Sequence, residues 1–298
     1  MRKRVAIVAL AAGLVFGMTL LTAPGAAASG KVTRLAATLD GDGEVPGPGD
    51  PDGRGRAFVR LTGDKACFVL QWSKLTAPTA AHIHAGKAGV AGPVVVLFFQ
   101  PGTNAVSLPD TLDSVAGCVD VDRAVARKIA AHPRDYYVNI HTADFAPGAI
   151  RGQLHRSRHL DLDLPHQLGA RLKGANEVPP ADPDGRGLAL VRTGKTRACF
   201  AVGWTRIGAP IFAHIHAGAA GVNGPVVVLF FDVPELAASP PAPPAALPDT
   251  VSAVAGCVGD QDPAVLRDIR RHPADHYVNV HNAEFPGGAI RGQLRRLA

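Results

Sequence analysis

The sequence predicts an all-β protein built as two tandem Greek-key-like β-sandwich domains, each with one short helical crossover. Three observations carry that prediction. Of 298 residues 47% are hydrophobic and only 5% aromatic, and 33 Gly and 25 Pro punctuate Val-rich runs; this is the composition of short strands and turns, not of a disordered or helical chain. Residues 79–99 (TAAHIHAGKAGVAGPVVVLFF) return as residues 211–231 (IFAHIHAGAAGVNGPVVVLFF), identical at 17 of 21 positions, so one unit occurs twice. The chain is also at the length where a single core stops growing, and repeats this long are globular domains.

From the N-terminus, residues 1–28 read as a secretory signal peptide. Arg2, Lys3 and Arg4 precede the apolar run 5–21, and the small residues 23–28 follow it, so cleavage is expected after Ala28. The run is short for a membrane span and no second segment of spanning length follows, so the mature protein is expected to be secreted, without a membrane anchor. Without Arg2, Lys3 and Arg4 the formal charge falls from +6 to +3. No Lys/Arg stripe stands out, which argues against nucleic acid as a partner. The mature chain divides into a first domain at 29–156, a linker at 157–169 and a second domain at 170–298.

In the first copy, residues 57–61 and 66–72 flank Thr62-Gly63-Asp64-Lys65 and read as a hairpin. Residues 81–84 form a short strand before a Gly-rich loop, and 93–99 a continuous apolar strand of the buried type. Residues 122–131 have helical spacing at Val125 and Ile129. The second-copy counterpart opens with Asp262-Pro263, an N-cap followed by Pro at the first helical position. Both helices end at His-Pro, 132–133 and 272–273, because the residue before Pro disfavours helix. Residues 136–141 and 149–154 make a last hairpin around 145–148. It recurs at 276–294 with the offset grown from 132 to 140, the extra residues falling mainly in the Pro/Ala-rich loop near 240–244.

Cys67 and Cys118 recur as Cys199 and Cys257. In an exported chain this predicts one disulfide per copy, Cys67–Cys118 and Cys199–Cys257. Closing loops of about 50–60 residues, each stabilises its domain by roughly 4 kcal/mol in the chain-entropy description.

Eight of the 12 histidines fall at matched positions: His82, His84, His132 and His141, then His214, His216, His272 and His281. Residues two apart in a strand share a face, so His82 and His84 project together, and His141 shares a face with Asn139. If those strands are neighbours, three imidazoles converge in each copy: His82, His84 and His141, and His214, His216 and His281. Such a set suits copper or zinc, with affinity favouring Cu(II), and metal would be lost as acid protonates the rings near pH 6. The same residues also fit a structural hydrogen-bond network at a wet end of the sandwich. His132 and His272 read as helix-end caps. His155, His159 and His166 lie in or beside the linker, and His276 replaces Tyr136.

Asp40, Asp42, Glu44, Asp50 and Asp52 look like an acidic calcium loop. In the second copy Lys173 and Ala175 replace the first pair, leaving Glu177, Asp182 and Asp184, and the Asp-Gly steps read more simply as turns. Arg54, Arg186, Arg151 and Arg291 are expected to pair with such carboxylates. No Gly-x-Ser-x-Gly, phosphate loop or repeated Ser/His/Asp order is present, so no catalytic residue is assigned and a hydrolase is not expected.

The segments Ala-His-Ile-His-Ala-Gly…Gly-Pro-Val-Val-Val and Tyr-Val-Asn-Ile/Val-His…Gly-Ala-Ile-Arg-Gly-Gln-Leu, with the cysteine pair, closely resemble the CHRD domain, the repeat first defined in chordin. The resemblance spans about 34–154 and 170–294. It implies a secreted or periplasmic β-rich module and no settled biochemical activity; the Cys-rich modules of the animal growth-factor antagonists are missing. A looser likeness is to copper/zinc superoxide dismutase, whose copper site also uses a strand-borne His-x-His with a disulfide nearby. His82-Ile83-His84 and His214-Ile215-His216 match that feature, but no zinc loop and no fourth copper histidine are seen beyond His132 and His272. Three functions follow: a secreted non-catalytic module binding an extracellular protein, glycan or surface ligand; a copper- or zinc-binding protein; or a dismutase-like redox enzyme.

Overall fold

The protein is described by a computed structural model, which covers residues 32–100, 107–157, 167–234 and 245–297; the predicted leader, His159, His166 and the Pro/Ala-rich loop lie outside the described residues. The first copy contains β1 (Thr33–Asp40), β2 (Arg54–Thr62), β3 (Lys65–Ser73), β4 (Pro78–Ala85), β5 (Val94–Phe99), β6 (Leu112–Asp120), helix α1 (Arg123–Ala131), β7 (Tyr136–Thr142), β8 (Ile150–Gln153) and β9 (His155–Arg156). The second repeats them as β10 (Leu168–Lys173), β11 (Arg186–Thr193), β12 (Ala198–Thr205), β13 (Pro210–Ala217), β14 (Val226–Asp232), β15 (Val251–Val258), α2 (Pro263–Arg271), β16 (His276–Asn282), β17 (Ile290–Gln293) and β18 (Arg295–Arg296). Strand β10 starts at Leu168, within the stretch assigned to the linker.

The predicted hairpin is β2–β3, turning at Gly63, whose φ of 62° lies in the left-handed region that glycine adopts freely. Alternation along β2 buries Ala57, Val59 and Leu61 and leaves the intervening side chains outside. Helix α1 begins where Asp122 accepts hydrogen bonds from Ala124 N and Val125 N, buries Ala126 and Ile129, and ends at His132 ahead of Pro133. Strands β1 and β6 are not among the elements read from the sequence and are found in the structure.

All pairings within a copy are antiparallel. One layer runs β6-β3-β2-β1 and the other β8-β7-β4-β5, joined where β1 pairs with β8 and β9. Phe68 of β3 stacks on Phe98 of β5 at 4.6 Å between ring centroids, and Phe200 on Phe230 at 4.5 Å, marking the apolar interior between layers in each copy. The two disulfides bridge β3 to β6 and β12 to β15, as Cys67–Cys118 and Cys199–Cys257.

The copies are not strung on a linker as independent beads. Strand β6 pairs with β15, so the inner layers fuse into one continuous antiparallel sheet. The pairing is centred on Val115 opposite Val254, with Ala116 opposite Ala253 and Ser114 opposite Ala255; equivalent residues of the two copies therefore face one another about a local twofold. A second small apolar cluster of Val69, Ala116, Ala201, Ala253 and Ala255 covers the seam.

Strands β5 and β14 depart from expectation. Their runs 94–99 and 226–231 are wholly apolar, yet Val94 is 48% and Leu97 41% exposed, and Val226 and Leu229 each 49%. Their inward residues fill the core, but among the described residues no further sheet layer covers the outer face of β8-β7-β4-β5. That face carries the histidines.

Candidate metal centre

Strand β4 lies between β5 and β7. Register sets His82 opposite Asn139 and Leu97, His84 opposite Tyr137 and Val94, and Ala80 opposite His141. Because all these side chains alternate to the same outward face, the neighbours the sequence only supposed are real neighbours. Ligand-capable atoms of His82, His84 and His141 lie within 4.8 Å of one another, and those of His214, His216 and His281 do the same.

The hydrogen bonds decide which nitrogens are available. His84 Nδ1 bonds Gly92 O at 2.8 Å, and His141 Nδ1 bonds Ala146 O at 2.9 Å. A carbonyl can only accept, so each Nδ1 carries the proton and each Nε2 keeps its lone pair. The second copy repeats this with His216 Nδ1 on Gly224 O at 2.7 Å and His281 Nδ1 on Pro286 O at 2.9 Å. Gly92 passes so close to Ala85 O that a Cβ could not fit, which brings its carbonyl to the ring.

The nitrogens left over are buried and without hydrogen-bond partners: His82 Nδ1, His84 Nε2 and His141 Nε2, and His214 Nδ1, His216 Nε2 and His281 Nε2. A structural hydrogen-bond network would pair them. Three converging lone pairs, two on rings anchored through their other nitrogen, fit a late first-row divalent ion such as copper or zinc.

Burial also sets the protonation state. His82 is pushed down to about 4, chiefly by desolvation and then by His141 and His84. His214 falls to about 3 from desolvation, His216 and His281, and His281 to about 4, mainly from desolvation. Burial also lowers His84, His141 and His216, partly offset by their backbone hydrogen bonds. At neutral pH the rings are therefore neutral, the form that binds metal. Proton competition moves to more acid conditions than the expected pH 6.

Sequence reasoning missed the support beneath the rings. Tyr137 stacks against His84 at 4.8 Å, Arg151 lies over the same phenol at 3.4 Å, and Arg151 Nη2 donates to Lys87 O and Val90 O. Buried Glu44 accepts from Asn139 Nδ2 at 2.7 and 2.8 Å, and desolvation raises its carboxyl to about 7 against the opposing charge of Arg151. Glu177 repeats this, raised to about 7 by desolvation against Arg291, with Asn279 beside it. The signal was present, since Glu44/Glu177, Asn139/Asn279 and Arg151/Arg291 are duplicated, but nothing local says that they meet.

The arginines expected to pair with carboxylates make their hydrogen bonds elsewhere, Arg54 and Arg186 to backbone carbonyls of their own turns, Arg151 to its covering loop, and Arg291 to Val222 O and Asn223 Oδ1, while Arg151 acts on Glu44 and Arg291 on Glu177 through charge. The acidic loop is a turn, as read: Asp50 Oδ1 accepts from Asp52 N and Gly53 N, and Asp182 Oδ1 from Asp184 N and Gly185 N. His132 caps α1, and His272 caps α2 while bonding Asp268 at 2.9 Å. Neither joins a triad. His155 is exposed, and His276 is buried against His272 O.

No helix among the described residues is long and apolar enough to cross a membrane. The family model of the CHRD domain matches this chain twice, over residues 35–154 and 168–294, which together are most of its length. No curated protein matches the chain.

Proposed function

The chain belongs to the CHRD-domain family, and on that premise we propose that it is an extracellular metal-binding protein whose two copies each hold one copper or zinc ion. The ligands are His82, His84 and His141 in the first copy and His214, His216 and His281 in the second. One observation carries the reading: in each copy three buried, partnerless ring nitrogens converge, one Nδ1 and two Nε2. Copper is favoured over zinc by the general affinity order for such donors. An exported location, through the predicted leader, is part of the proposal, and the paired cysteines are compatible with an oxidising compartment.

Elemental analysis and calorimetric titration of the mature chain with copper and with zinc test it. Near two ions per chain are expected, falling to one when His82, His84 and His141 become Ala and to none when all six are replaced. A stoichiometry indifferent to the six substitutions overturns the assignment.

A second reading, a non-catalytic module for an extracellular protein, glycan or surface ligand, is favoured by exposed Val90, Val94 and Leu97 beside one triad and Val222, Val226 and Leu229 beside the other. The two readings are compatible, since a metal can shape a binding face. A dismutase-like activity is the narrowest reading. It requires bound copper that cycles between oxidation states, and a redox-inert copper protein excludes it.

A further inference from the structure

The two triads are not copies of one environment. Where the first copy has Ala80 opposite His141, the second has Phe212 opposite His281. The Phe212 ring stacks on His281 at 4.2 Å between centroids and meets His214 edge-on at 5.4 Å. Under it, His214 is 4% and His281 6% exposed, whereas His82 and His141 are only half-buried. The rings also sit closer together in the second copy. His214 lies 4.4 Å from His216 and 4.6 Å from His281, against 5.5 Å from His82 to His84 and 4.9 Å from His82 to His141.

An independent difference lies in the loop above each site. In the second copy Asn223 ties the loop down, accepting from Arg291 Nη1 at 2.8 Å and donating to Val178 O at 2.8 Å. The first copy has Ala91 at that place, and the buried Arg151 keeps a partnerless Nη1. The loop over the first site therefore lacks the side-chain tie that Asn223 gives the second.

Resting on the metal reading above, we propose that the two centres have diverged: the first copy leaves a coordination position open to a small exogenous anion, and Phe212 closes that position in the second. The first centre then exchanges ligands with solution while the second holds its ion as part of the scaffold.

Azide titration of the full mature chain loaded with Cu(II) tests this, followed by the azide-to-copper charge-transfer band and by electron paramagnetic resonance, with copper content measured on the same samples. The wild type is expected to bind one azide per chain at two coppers. Phe212→Ala raises that to two azides and Ala80→Phe lowers it to none, with copper content unchanged in both. Two azides in the wild type, or a single azide that neither substitution alters, overturns the divergence while leaving the metal reading intact. Copper content below two in the wild type overturns the metal reading, and this inference with it.

Discussion

Acidification should destabilise the metal-free protein in a window set by its buried histidines. An imidazole in an unfolded chain titrates near 6.5. In the folded chain His82 titrates at about 4 and His214 at about 3, because desolvation opposes the charge and neighbouring imidazoles repel it. With the folded value depressed, the unfolded state takes up protons first, so stability held above about pH 6.5 is lost as the pH falls towards the folded values. Between about pH 7 and 4.5 the linkage amounts to roughly 2–3 kcal/mol for a fully buried group. His214, 4% exposed, keeps most of it, whereas water reaches half-buried His82 and about halves its share. The pair together contributes about 3 kcal/mol. Carboxylates titrate over the same range, so the measured quantity is a difference between wild type and His82→Gln/His214→Gln, both metal-free. Urea unfolding at about pH 7, 5.5 and 4.5, with matched m-values, supplies it. The wild type should lose about 3 kcal/mol more than the variant across that range. Parallel stability curves would refute the reasoning, because the rings would then be as well solvated folded as unfolded.

The buried carboxyls work in the opposite direction. Glu44 and Glu177 are raised to about 7 by desolvation, so the stability they contribute is present below the unfolded value near 4.5 and lost as the pH rises through 7. Glu44→Gln/Glu177→Gln should stabilise the chain at about pH 8 by roughly 1–2 kcal/mol per site after allowing for water access, with the gain vanishing towards pH 4.5; equal urea midpoints at both pH values would contradict it. At the seam, a Cβ on Gly117 would meet Thr250 O and one on Gly256 would meet Thr111 O. Gly117→Val/Gly256→Val should therefore strip amide-exchange protection from the β6–β15 pairing while β2–β3 and β11–β12 keep theirs, and protection unchanged at the seam would show that the copies are not joined there.

Much of the architecture is legible because its causes are local. The β2–β3 hairpin follows from a Gly turn between apolar runs, and the helices from Asp122 and Asp262 at one end and His-Pro at the other. Sequence identity between the copies predicts the paired cysteines, whose bonds the structure contains. The His-x-His spacing places two rings on one face by strand geometry alone. The third ring is different, because His141 is some 60 residues away and reaches the others only through the β4–β7 pairing. Buried Glu44 against Asn139, the Arg151–Tyr137–His84 stack and the β6–β15 seam are likewise long-range meetings with no local signature.

The sequence by itself determined the all-β class, the duplication, the turns, the helix ends and which histidines share a strand face, since each depends on backbone preferences within a few residues. Tertiary structure alone decided that three imidazoles converge, that their buried, partnerless nitrogens are one Nδ1 and two Nε2, and that Phe212 stacks on one triad where Ala80 stands beside the other. Those outcomes depend on strand register and on loop carbonyls brought in from distant parts of the chain. A one-residue shift of β4 against β7 would turn every one of these side chains to the other face.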